Sequence, residues 1–141
     1  MDGPCHFLTI EFLVFLNAKM LQMANQSGNF LGEDNLRERP ALEGILDALQ
    51  YPSFGVDRYP TVIDKASALG WYINAVHVFW EGNKRTGMAA CRHFLQINGY
   101  DMDMNRDEII RMGFAVANHE VDLEAFTLWV AARTFPIETG E

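Results

Sequence analysis

Cysteine is scarce in this 141-residue chain: Cys5 and Cys91 are the whole complement, and their spacing suits neither a disulfide framework nor a metal knuckle. So little cysteine fits a reducing compartment, and a cytoplasmic protein is expected. Positive charge is also short, with 11 Lys and Arg against 19 Asp and Glu and a net charge of -8. That sign repels a phosphate backbone, so no direct nucleic-acid partner is expected. No apolar run reaches the roughly 18 to 20 residues of a membrane span. The apolar stretch from Phe7 to Leu16 follows Asp2, is interrupted by Glu11, and lacks both a basic flank and a small-residue cleavage site, which argues against an export signal. A soluble protein with no membrane partner is expected. Repeats, low-complexity tracts and linkers are missing too. What is present is ordinary globular usage, 49% hydrophobic and 21% charged, enough to bury a core in a single domain over residues 1–141.

The pattern of apolar residues is helical almost throughout. Thr9 is placed to cap a helix carrying Phe12, Leu13, Phe15, Leu16, Met20, Leu21 and Met23, which ends near Ala24. Residues 25–35, with Gly28 and Gly32, read as a loop. Pro40 then suits the first turn of an amphipathic helix through Leu42, Ile45, Leu46 and Leu49. Tyr51 to Tyr59 contains Pro52, Gly55 and Phe54, too punctuated for a helix, and reads as an exposed flap, either a loop or a small hairpin. Thr61 opens a largely apolar helix to Val76, which few charges mark as central. A further helix runs from after Gly82 to a stop at Asn98-Gly99. Tyr100 to Met104 reads as a short strand or packed turn. Asn105 and Asp122 are placed to cap two last helices, to about Asn118 and Thr134.

The densest chemistry lies between two of these helices, in His77-Val78-Phe79-Trp80-Glu81-Gly82-Asn83-Lys84-Arg85. Free amides at a helix N-terminus attract anions, Gly82 lets a phosphate approach the backbone, and Lys84 and Arg85 add positive charge. A single carboxylate beside bound phosphates is a common way to hold Mg²⁺, which gives Glu81 a role. His77 can take a proton from an attacking hydroxyl. Together these parts describe phosphoryl or nucleotidyl transfer from a metal-bound nucleotide. A zinc site is disfavoured, because His6, His93 and His119 offer no recognised third-ligand spacing to His77 and Glu81.

This segment resembles the signature of the Fic/Doc proteins, His-x-Phe-x-(Asp/Glu)-(Gly/Ala)-Asn-(Gly/Lys)-Arg, at every specified position. The resemblance spans about residues 35–134 and includes Arg37-Glu38-Arg39-Pro40-Ala41-Leu42-Glu43, Tyr59-Pro60-Thr61, Thr86, Phe94-Leu95 and Asn98-Gly99-Tyr100. It implies an all-α fold, a compact bundle of about six helices with the flap beside the active-site loop. Lys84, where nucleotide-transferring Fic enzymes carry glycine, is similar to the death-on-curing (Doc) toxin branch. That implies a kinase moving the terminal phosphate of Mg-ATP to a threonine hydroxyl of a translation factor, elongation factor Tu, so that protein synthesis stops. It further implies an antitoxin from the same operon as partner.

By the same resemblance His77 is the general base, Glu81 the Mg²⁺ ligand, Asn83 a hydrogen-bond partner of the phosphates, and Gly82, Lys84 and Arg85 the phosphate site. Phe79 anchors the loop in the core, and Arg37 either faces the nucleotide or is a structural salt-bridge partner. Apart from the resemblance, the flap aromatics Phe54 and Tyr59 suit docking of a target protein segment, the alternative being that the flap merely covers an edge. Val78 stands where proline is frequent, Glu81 where Doc proteins more often carry aspartate, and Trp80 is large for an unspecified position. An inhibitory helix, (Ser/Thr)-x-x-x-Glu-(Gly/Asn) in many Fic enzymes, has only a broken echo from Thr134 to Glu138, read as chance because Pro136 interrupts it. Two other functions compete. One is an AMP transferase, supported by Gly82-Asn83 and opposed by Lys84; the other is a catalytically silent module binding nucleotide or antitoxin, opposed by the intact His77.

Overall fold

Helix starts follow the expected capping chemistry. The computed structural model describes residues 4–24 and 32–138, so the expected loop is seen only from residue 32 onward. Helix α1 (Ile10–Met23) begins where the Thr9 hydroxyl accepts the Phe12 amide at 3.1 Å. A short 3₁₀ turn (Gly32–Asn35) leads to α2 (Arg39–Gln50), with Pro40 in its first turn and Leu42, Ile45 and Leu49 on its buried face. Thr61 and Asp64 form a reciprocal capping box at the start of α3 (Val62–Ala75). Asn105 and Asp122 cap α5 (Arg106–Ala117) and α6 (Leu123–Arg133).

The expected helical bundle is therefore observed, with α3 at its centre, buried from Lys65 through Gly70 and again from Ile73 to Ala75. Its main partner is α4 (Asn83–Ile97). The two backbones touch: a Cβ on Gly70 would stand 2.7 Å from the Gly87 carbonyl oxygen, and one on Gly87 would stand 2.6 Å from that of Gly70. Glycine at both positions lets the helices cross without side chains between them. Cys91 packs at the same crossing, where burial pushes its thiol up to about 12. The core around this contact includes Phe79, Phe94 and Phe126, all essentially inaccessible to water.

Two short strands complete the described residues. β1 (Tyr100–Met102) pairs antiparallel with β2 (Thr134–Pro136), Asp101 opposite Phe135. Tyr100 to Met102 is thus a strand, as the sequence suggests, whereas β2 is unexpected. The same strand shows that Thr134 to Pro136 is not part of an inhibitory helix. Among the described residues no helix is long and apolar enough to cross a membrane.

The flap is a small hairpin. Ser53 and Val56 exchange two backbone hydrogen bonds of 3.0 and 2.9 Å, and the turn residues Phe54 and Gly55 both have positive φ, at 52° and 76°. Such two-residue turns suit the twist of paired strands. At its base Lys65, buried on α3, donates to the Asp57 carboxylate at 3.0 Å and to the Tyr59 carbonyl. That ammonium holds the Asp57 carboxyl below its usual range.

Candidate active site

The link from α3 to α4 reverses the chain in seven residues, Val76 to Gly82. Two of them take left-handed conformations, His77 with φ 58° and Gly82 with φ 85°. At Gly82 both backbone and space demand glycine, since a Cβ there would stand 3.1 Å from Asn17 Nδ2 and from a Leu21 methyl. Gly82 caps α4 without a side-chain hydrogen bond, so the first-turn amides of the helix keep their anion-binding character.

The rest of the link is tied through its main chain. Residues 35–38 run beside it: the Trp80 amide donates to the Asn35 carbonyl at 2.8 Å, and the Arg37 and Glu38 amides both donate to the Val78 carbonyl, at 2.8 and 2.9 Å. Two buried asparagines hold Glu81. Asn35 accepts the Glu81 amide at 3.1 Å, and Nδ2 atoms of Asn35 and Asn17 each donate to the Glu81 carbonyl at 3.0 Å. Asn35 also donates to Asn17 Oδ1 at 2.5 Å, and Asn17 to the Thr86 hydroxyl at 3.0 Å, which joins α1, the 3₁₀ turn and α4 in one buried network. Val78 and Phe79 are sunk in the core beneath it.

With its backbone secured, the loop presents His77, Trp80 and Glu81 to solvent, and the first turn of α4 presents Lys84 and Arg85. The side chains of His77, Glu81 and Arg85 make no hydrogen bond or ion pair among the described residues. Lys84 runs its stem against Gly113 of α5 and sets its ammonium 5.0 Å from the centre of the Phe114 ring. A base, a carboxylate and two cations thus border an open helix N-terminus.

Three expected roles need correction. Asn83 is buried and its side-chain amide pairs with the Phe79 backbone, accepting its N–H at 2.9 Å and donating to its carbonyl at 2.8 Å. It staples the loop to the helix instead of reaching phosphates. Arg37 does not extend a free guanidinium toward a nucleotide: Nη1 donates to the carbonyls of His77 and Val76 at 2.9 and 3.3 Å, and Trp80 lies 5.5 Å from the guanidinium. The carbonyls of Val76 and His77, just past the end of α3, lack helical donors, and the arginine satisfies them. Tyr59 is buried at the flap base and cannot dock a target, whereas Phe54 at the flap tip is fully exposed.

Glu81 suits a hard divalent ion. Among the described residues it is an exposed carboxylate with no side-chain partner on a fixed backbone, and no group of three His, Cys, Asp or Glu gathers there. One carboxylate with substrate phosphates matches the preference of Mg²⁺ better than the closed donor sets of zinc.

Asn17 and Asn35 are the residues that the sequence did not disclose. Asn17 carried a signal nonetheless: it lies midway between Leu13 and Leu21 at four-residue spacing, a polar residue on a stripe that is otherwise buried leucine.

Comparison with known proteins gives two results. A family model described as the Fic/DOC family matches residues 7–95, reaching back over α1 and Asn17. The chain is also similar to Toxin Doc of Mycolicibacterium smegmatis, 35% identical over 115 residues, covering 79% of this chain and 87% of that protein.

Proposed function

The chain belongs to the Fic/DOC family, and from that premise we propose that it is the toxin of a toxin–antitoxin pair, transferring the terminal phosphate of Mg-ATP to a protein hydroxyl. The observation that carries this reading is the open, glycine-started N-terminus of α4 bordered by exposed His77, Glu81, Lys84 and Arg85. His77 takes the proton of the target hydroxyl, whose oxygen attacks the terminal phosphorus. The bond from that phosphorus to the bridging oxygen breaks, and ADP leaves with the electron pair. The first-turn amides of α4 with Lys84 and Arg85 hold the phosphates and stabilise the charge that develops on them. Glu81 would hold Mg²⁺, which when bound neutralises phosphate charge.

The target class is a translation factor, with a threonine of elongation factor Tu as first candidate, and a dedicated antitoxin is the partner that restrains the enzyme. The antitoxin partner is supported by the toxin with which the chain aligns, and the translation-factor target by the resemblance of the Lys84-bearing motif to the Doc branch. AMP transfer is the second reading. It draws on Lys84, whose ammonium is engaged by Phe114, so that its hold on the orientation of the nucleotide is weakened.

One experiment separates these chemistries. Incubation of the purified chain or its His77→Ala variant with Mg²⁺, ATP and elongation factor Tu is followed by intact mass of the factor. A His77-dependent gain of one phosphate is expected. A gain of one AMP selects the second reading, equal gains with both proteins reject His77 as the base, and no gain with either points to a different target or a catalytically silent module.

A further inference from the structure

We propose that Arg37 is the positioning residue of His77, an assignment that rests on reading His77 as the general base. His77 occupies left-handed backbone space at φ 58°, a conformation that residues with a Cβ hold only when their surroundings impose it. The reversal that puts it there turns out three consecutive carbonyls, of Val76, His77 and Val78. Arg37 engages all three. Its Nη1 donates to Val76 and His77, and its main-chain amide donates to Val78 at 2.8 Å. Beyond them the Trp80 ring lies 5.5 Å from the guanidinium, so the arginine is contacted by the loop on both sides of Val78 and Phe79. The carboxylate of neighbouring Glu38 lies 3.6 Å from Nη1 and adds charge to the same group. The Glu38 amide shares the Val78 carbonyl.

Lysine cannot reproduce this arrangement. Both side-chain bonds leave one guanidinium nitrogen while the same flat group lies near the Trp80 indole, whereas an ammonium on its stem is a compact point charge that supplies donors without the flat face. Loss of the guanidinium frees His77 to leave its left-handed well, which misplaces the imidazole without touching the phosphate site. The kinetic signature is therefore a fall in kcat at constant affinity for nucleotide.

The test compares Arg37→Met and Arg37→Lys with Arg39→Met, which removes a neighbouring exposed arginine paired with Glu33 and Glu43. Transfer to elongation factor Tu is measured with Mg-ATP varied. In the same proteins NMR records the strong intraresidue amide–Hα NOE of His77 that marks a positive φ. Arg37→Met is expected to lower kcat about 10- to 100-fold with KM for Mg-ATP within about twofold. It should also weaken the NOE. Arg37→Lys recovers part of both, and Arg39→Met changes neither. A rise in KM with kcat intact makes Arg37 a nucleotide contact and overturns the proposal, as does an NOE unchanged in Arg37→Met. Should the parent chain transfer nothing, the NOE alone decides whether Arg37 sets the His77 backbone, and only the proposed activity is lost.

Discussion

Ahead of α3 the chain from Tyr51 to Arg58 leaves every side chain exposed, with Phe54 wholly in water; behind it the chain from Val76 to Gly82 is fastened through its own main chain. The flap relies on one two-residue hairpin and on Lys65 at its base. The link between α3 and α4 has Asn17, Asn35, Arg37, Asn83 and a buried Phe79. Chemistry on phosphate needs groups fixed to within a fraction of an ångström, whereas a surface that meets another protein benefits from give. On the proposed function, the two loops would divide a precise task from an adaptable one.

The sharpest way to break this contrast is Asn35→Ala. It strands the Glu81 amide and the Asn17 side-chain oxygen, leaves the Glu81 carbonyl to Asn17 alone, and should cost about 2–4 kcal/mol of stability in denaturant unfolding. Gly82→Ala comes next. A Cβ must be held at φ 85° against Asn17 and Leu21, and a loss of about 1–3 kcal/mol is expected together with weaker nucleotide binding.

Acid probes the flap. The Lys65 ammonium lowers the Asp57 pKa, so the stabilisation is present in full above the ordinary aspartate range and is lost as pH falls through the lower folded value. Hydrogen exchange across residues 51–60 should accelerate on acidification before the core does. Lys65→Met should show that faster exchange already at neutral pH, and equal rates in parent and variant would refute the latch. Because Asp57 is well exposed, only a small change in global stability is expected. Smallest of all in stability is Phe54→Ala, within about 0.5 kcal/mol of the parent. Its effect belongs to the target protein, whose KM should rise severalfold while that of Mg-ATP stays put.

Much of this architecture was legible because it is local. Thr9, Thr61, Asn105 and Asp122 announce helix starts by bonding amides two or three residues on, and all four caps are found. The chemical groups of the site were legible too, as residue types in a short segment. Their division of labour was not. Asn83 and Arg37 carry donors fit for phosphate, and only the folded chain shows those donors spent on backbone carbonyls. Tyr59 reads like any flap aromatic until α3 is seen to bury it. Asn17 and Asn35 act on a loop more than forty residues away, a separation no periodicity records. Strand β2 escaped notice because three residues ending in proline carry almost no pattern.

The contact of Gly70 with Gly87 lies about one and a half turns from either end of the link between α3 and α4. Where two helices meet backbone to backbone, with only the Cβ atoms of Cys91 and Asn74 beside the contact, little can repack, so the span that the link must bridge is set closely by that contact. Any methyl group added at that crossing would widen the span and move His77 away from the α4 amides together, without altering a single active-site residue. The crossing works as a gauge block, and inactive variants of this chain should be sought there as well as in the motif itself.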